Sequence, residues 1–149
     1  MSELRELYQE VIVDHGRHPR NFGALLDANY RKEGFNPLCG DKIMLYVHEQ
    51  NGVIEKLQFE GSGCAISMAS ASLMTEVLKG KSLSEANTVF AAFHELVTQG
   101  KTTENIGKLA VMGGVSEFPV RVKCATLAWH TLKAALIQDE NPVSTEEKV

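Results

Sequence analysis

The 149 residues are 44% hydrophobic and 23% charged, enough to bury one real core without disulfides or a metal as the sole support of the fold. Nineteen acidic against fifteen basic residues leave a formal charge of −4, which argues against nucleic acid as the main partner, because phosphate binding needs a basic face. The charged opening MSELRELYQE lacks an apolar signal core, and no apolar run reaches the roughly 18 residues of a membrane span, so a soluble cytoplasmic protein with no membrane partner is expected.

Residues 3–15 place Leu4, Leu7, Tyr8, Val11 and Ile12 at helical spacing behind Ser2, with Gly16 and His18-Pro19 as stop signals. Residues 17–40 are rich in Pro, Gly, Asn and charge and read as a long irregular connection, a kind of segment that is often functional. His15 and His18, at the helix end, read as polar surface. Residues 42–48 and 53–60 read as two strands joined through Asn51-Gly52, a strong hairpin signal. In the second strand Val53, Glu55, Leu57 and Phe59 are expected on one face.

Residues 65–79 read as a buried helix whose first half is Ala and Ser, small enough to pack closely on a sheet. Ser82-Leu83-Ser84-Glu85 is a capping box that opens another helix, ended by Gly100. A shorter helix is expected near 103–112, stopped by Gly113-Gly114, and a last helix from about Pro119 to Gln138. Trp129 reads as partly core. Residues 139–149 read as a frayed, flexible tail. With no repeat and no internal linker, 1–149 is predicted to be a single α+β domain. Its sheet is small, antiparallel and about three-stranded, and it packs against several helices.

Chemistry concentrates at the three cysteines, whose odd count and wide spacing argue against disulfides. Cys39 and Asp41 flank Gly40 at positions i and i+2, which point the same way in extended chain. Cys64 follows Gly61-Ser62-Gly63 at the end of the second strand. A hairpin returns that end to the start of the first strand, so Cys39 and Cys64 are predicted neighbours. Cys124 shares a face with Leu127, Ala128, Thr131 and Ala135 near the N-terminus of the last helix, where partial positive charge favours a thiolate. If that helix packs on the sheet, three thiols and one carboxylate converge, a set suited to tetrahedral Zn2+ or to iron in an Fe–S cluster. The competing reading is that all three cysteines are small core hydrophobes.

The motifs Asn36-Pro37-Leu38-Cys39-Gly40-Asp41 and Gly61-Ser62-Gly63-Cys64-Ala65-Ile66-Ser67, with Ala69-Ser70-Ala71-Ser72, resemble the IscU/NifU N-terminal scaffold family. Leu7-Tyr8 through Asn21-Phe22-Gly23 resembles its opening segment. Lys123 stands where scaffold members carry a His before the third cysteine, within Phe118-Pro119-Val120-Arg121-Val122-Lys123-Cys124. The Cys64-to-Cys124 interval is also long. Both features are similar to the zinc-binding SufU branch.

That resemblance implies an IscU/SufU-like fold and a zinc-dependent sulfurtransferase. Its zinc would be held by Cys39, Asp41, Cys64 and Cys124. Cys39 would accept persulfide sulfur from a pyridoxal-phosphate cysteine desulfurase of SufS type, for delivery to a downstream Fe–S scaffold or apo-acceptor. The alternative it leaves is a non-enzymatic scaffold holding iron or a transient Fe–S cluster on the same residues. Arg121 is a candidate to pair with Asp41 behind the ligands.

Overall fold

The computed structural model describes residues 2–137 and 143–144, with side chains from 9 to 137. Three antiparallel strands, β1 (Tyr30–Asn36), β2 (Asp41–Gln50) and β3 (Val53–Ser62), lie in the order β3-β2-β1. A two-residue strand, β4 (Val143–Ser144), pairs parallel to β1 at Gly34 and Phe35. Those two residues belong to the tail expected to fray; the remainder of the tail lies outside the described residues. Helices α1 (Ser2–Arg17), α2 (Ala65–Leu78), α3 (Leu83–Gln99) and α4 (Pro119–Leu136), with a 3-10 segment at Gly107–Glu117, complete an α+β architecture.

The β2–β3 hairpin turns through Asn51 (φ 55°) and Gly52 (φ 79°), both left-handed as a type I′ turn requires. The expected alternation in β3 fails at one point. His48 pairs with Lys56 and Glu49 with Ile54, so Glu55 bulges out and Ile54 joins Leu57 and Phe59 in the core. The larger correction concerns residues 17–40, which contain β1. The fully buried residues of β1 are Gly34 and Asn36, neither a large apolar side chain, while Phe35 is exposed, so no clear hydrophobic alternation announces the strand.

Gly34 has a physical reason. A Cβ there would collide with Thr131 Oγ1 and meet Leu127 Cδ1 at 3.2 Å, so α4 rests directly on the β1 backbone. Ile43, Leu45 and Val47 of β2 and Leu57 and Phe59 of β3 complete the buried face under the helices. The small residues of α2 are buried, and they let it pass close to α4: Ser70 Oγ donates to the Ala125 carbonyl at 2.6 Å and accepts from Trp129 Nε1 at 3.0 Å. Trp129 is fully core, stacked on Phe93 of α3 at 4.3 Å. The capping box at Ser82 and the left-handed Gly100 cap bound α3 as the sequence implies. Gly113 and Gly114 instead lie inside the 3-10 segment, and a Cβ on Gly113 would stand 3.2 Å from Leu96 Cδ1, so close approach rather than helix termination accounts for Gly113.

α1 runs one residue past Gly16 and ends before His18-Pro19, and Gly16 also allows contact with the Ala65 backbone, where a Cβ would sit 3.2 Å from the carbonyl oxygen. His15 is buried rather than on the surface, with Nδ1 2.7 Å from Ser72 Oγ. Burial lowers its pKa, helped by Arg20 and Lys108 and opposed by Glu76 and Asp14.

Two outcomes follow from this packing. Gly34→Ala is expected to lower stability by about 1–3 kcal/mol in urea unfolding, the usual cost of overpacking a filled site; a wild-type midpoint would show that α4 does not press on β1. Below the ordinary histidine pKa of 6.5 the unfolded chain takes up a proton at His15 that the folded chain resists, so stability falls as pH drops through that value. Melting temperatures at pH 7.5 and 5.5 should therefore diverge more for the wild type than for His15→Gln.

Candidate metal centre

β1 and β2 are joined by the tight turn 37–40, in which Gly40 is left-handed (φ 72°). The hairpin register sets Asn36 directly opposite Asp41, and both are fully buried on the α4 side. Asn36 Nδ2 donates to Asp41 Oδ2 at 2.9 Å and to Cys124 Sγ at 3.5 Å. Cys39 rides the exposed turn, and its sulfur lies 3.3 Å from Cys124 Sγ.

β3 returns to the same end, with Ser62 beside Lys42. A Cβ on Gly63 would stand 2.5 Å from Asp41 Oδ1, so only glycine lets the chain pass over the carboxylate. The next residue, Cys64, donates its backbone N–H to Asp41 Oδ1 at 2.9 Å. Cys64 is also the N-cap of α2, its sulfur accepting from Ser67 N–H at 3.4 Å. A hydrogen bond from the Cys124 thiol pulls the Cys64 pKa down to about 6, with the Ser67 and Ile66 N–H groups acting in the same direction against desolvation. The same hydrogen bond raises the Cys124 pKa, as do its burial and its contact with Cys39. Within this pair Cys64 therefore gives up its proton first.

Pro119 opens α4, and Cys124 lies fully buried on its inward face with Leu127, Ala128 and Thr131. One sulfur each from Cys39 and Cys124 and one oxygen from Asp41 lie within 4.8 Å of one another. Cys64 adjoins this trio through its N–H to Asp41 and its hydrogen bond with Cys124, and its sulfur is not among the three mutually close donors. Arg121 does not meet Asp41. It is exposed on the first turn of α4, and among the described residues no ion pair reaches the carboxylate, whose oxygens are taken by Asn36 and Cys64. Asn36 is the site residue that the sequence reading passed over as a ligand neighbour; its role depends on the unforeseen strand β1.

This donor set fits a cation. A fully buried carboxylate beside two thiols, with neutral donors and, among the described residues, no basic side chain paired to it, leaves negative charge that a divalent ion of thiolate preference would balance.

Comparison with known proteins identifies the family. The NifU-like N-terminal domain family matches residues 7–125, and the chain belongs to that family. It is 41% identical over 142 residues to the zinc-dependent sulfurtransferase SufU of Bacillus subtilis, covering 93% of this chain and 95% of that one. It is 39% identical over 143 residues to the iron-sulfur cluster assembly scaffold protein IscU of Streptococcus pyogenes, covering 95% and 89%. A solved structure from Fervidobacterium islandicum AW-1, of a protein proposed as the iron–sulfur scaffold of a SUF system, superposes with a TM-score of 0.81 at 36% identity over 89% of this chain and 98% of that one.

Asp41→Ala is expected to destabilise even the metal-free protein by about 1–3 kcal/mol, since Asn36 Nδ2 and Cys64 N–H lose a buried acceptor. Chemical unfolding in the presence of a chelator measures it. An unchanged midpoint would mean that those donors have other partners.

Proposed function

We propose that this protein serves iron–sulfur cluster assembly as a zinc-dependent sulfurtransferase, with Cys39, Asp41, Cys64 and Cys124 as the zinc ligands and Cys39 as the sulfur acceptor. The observation that supports it best is the meeting of a fully buried Asp41 with the Cys39 and Cys124 sulfurs, Cys39 alone among the three cysteines being exposed. The donor is a persulfide on a pyridoxal-phosphate cysteine desulfurase of SufS type, and the receiver is a downstream Fe–S scaffold or apo-acceptor. A reducing, cytoplasmic setting suits three free thiols.

Bound zinc would supply thiolates kept deprotonated near neutral pH and guarded from oxidation. The transfer belongs to Cys39. Its sulfur attacks the outer sulfur of the partner's persulfide; a sulfur–sulfur bond forms on Cys39, the partner's breaks, and the partner's cysteine leaves as thiolate. The electrons balance without an outside oxidant or reductant. Cys64 is fastened as the cap of α2 and Cys124 within α4, whereas Cys39 sits on a four-residue turn and can swing out with little backbone rearrangement.

A second reading, cluster scaffolding on the same four residues, draws on the likeness to the Streptococcus pyogenes relative. Anaerobic purification separates the two. One colourless zinc per chain, with persulfide on the Cys39 peptide after reaction with desulfurase and cysteine, is the expected result. A brown chromophore that passes to an apo-acceptor would favour scaffolding. Cys39→Ala should fold and bind the desulfurase yet stop transfer; normal turnover by that variant would overturn the assignment.

Zinc binding only to the folded chain also raises stability by mass action, about 4 kcal/mol at a thousandfold excess over the dissociation constant. A chelator should therefore lower the melting temperature clearly while leaving a folded core; an unchanged melt after verified zinc removal would count against the site.

A further inference from the structure

We propose that residues 145–149 form a strap over the apolar rim beside Cys39, aimed there by β4 and latched by charge. The strap stands by itself; its consequence, competition with the sulfur donor for that rim, rests on the sulfur-acceptor reading.

Two elements that meet at Cys39 build the rim. Leu38 precedes Cys39 in the turn and is 54% exposed. Phe118 and Val120, 59% and 51% exposed, stand at the head of α4. Val120 and Arg121 lie one helical turn ahead of Cys124, whose sulfur is 3.3 Å from that of Cys39, so the head of α4 and the 37–40 turn are neighbours. Large apolar side chains gathered in water mark a surface built for an occupant. Arg121 and Lys42, both exposed, add positive charge at this end of the molecule, and among the described residues no ion pair holds either of them.

The direction of β4 names the occupant. Val143 and Ser144 pair in parallel with Gly34 and Phe35, so β4 runs the way β1 runs into the turn. Ser144 stands level with Phe35, just short of the turn that carries Cys39. A strand advances about 3.3 Å per residue, so the residues that follow Ser144 have a reach of roughly 16 Å, enough to pass the turn. Their sequence is Thr145-Glu146-Glu147-Lys148-Val149. Glu146 and Glu147 complement Arg121 and Lys42 in charge, and Val149 is the apolar residue offered to Leu38 and Val120. Exposed ion pairs are individually weak and are screened by salt. A strap latched by them keeps the rim from casual contacts, yet gives way to a partner that offers more apolar area.

The test compares the full chain with a chain ending at Ser144, which keeps β4, and with the double variant Glu146→Lys, Glu147→Lys. All three are brought to matched zinc content and checked for fold by circular dichroism. Methyl NMR reads the contact. Truncation should shift the Leu38 and Val120 methyls and leave those of Leu83 in place, since Leu83 is bonded to Gly52 in the β2–β3 turn at the opposite end of the sheet. The double variant, and high salt acting on the full chain, should move the same methyls toward their positions in the truncated chain. Desulfurase and cysteine read the consequence: with desulfurase limiting, persulfide should build on Cys39 roughly threefold faster without residues 145–149, the worth of about one exposed ion pair. Leu38 and Val120 methyls that stay in place on truncation overturn the strap. Moved methyls with equal persulfide rates overturn its competition with the donor. Absence of persulfide from Cys39 in all three chains overturns the sulfur-acceptor reading instead, and the methyl shifts alone then decide the strap.

Discussion

A carboxylate with no access to water and no basic partner among the described residues governs one end of this molecule. Burying such a group is costly unless hydrogen bonds and a counter-charge replace its hydration. Asp41 draws its hydrogen bonds from two directions, the Asn36 amide across the β1–β2 pair and the Cys64 N–H at the junction of β3 and α2. Each partner belongs to a different segment, so satisfying the carboxylate holds the turn of one hairpin against the end of another. The sulfurs then fall beside it, because Cys39 is in that turn, Cys64 supplies one of the N–H groups, and Cys124 accepts the second Asn36 proton.

The rest of the packing serves this convergence. α4 can lie on β1 only because Gly34 has no side chain, and α2 can lie close against α4 because Ser67, Ala69, Ser70, Ala71 and Ser72 keep much of its buried surface small. The polar atoms introduced by those serines are satisfied between helices: Ser70 joins Ala125 to Trp129, and Ser72 accepts from the Arg20 N–H while pairing with His15. A helix of small hydroxyl residues thus acts as a hydrogen-bonded spacer that brings the cap cysteine of α2 and the inward cysteine of α4 together. His15 extends the same network to α1, which links docking of the first helix to proton concentration.

In the proposed function, the roles of the sulfurs divide along the same lines as rigidity. Two sulfurs are built into helices, where moving them would break caps or core contacts, and one sits on a short surface turn. An ion-binding set made of fixed and mobile ligands can keep its geometry while one member reacts. That division, rather than the count of thiols, is what makes transfer chemistry and simple storage of a metal distinguishable here.

Much of this was legible before any coordinates. Asn51-Gly52 announced its turn, Ser82 through Glu85 its capping box, and Gly61-Ser62-Gly63 a break before Cys64, because each is local chemistry written in consecutive residues. The neighbourhood of Cys39, Asp41 and Cys64 was legible too, since a hairpin fixes where its ends meet. Three features were not. β1 is hard to see by hydrophobic periodicity because its fully buried residues, Gly34 and Asn36, serve closeness and hydrogen bonding rather than burial of large apolar surface. Glu55 shifts the face of β3 by bulging, a matter of register against β2 that β3 alone does not encode. Arg121 pointed to Asp41 by charge, yet the carboxylate was claimed by two nearer neutral donors while the guanidinium stayed in water. Local signals set the elements and the ligand types; which donors reach a buried group is decided only when segments far apart in the chain compete for the same few ångströms.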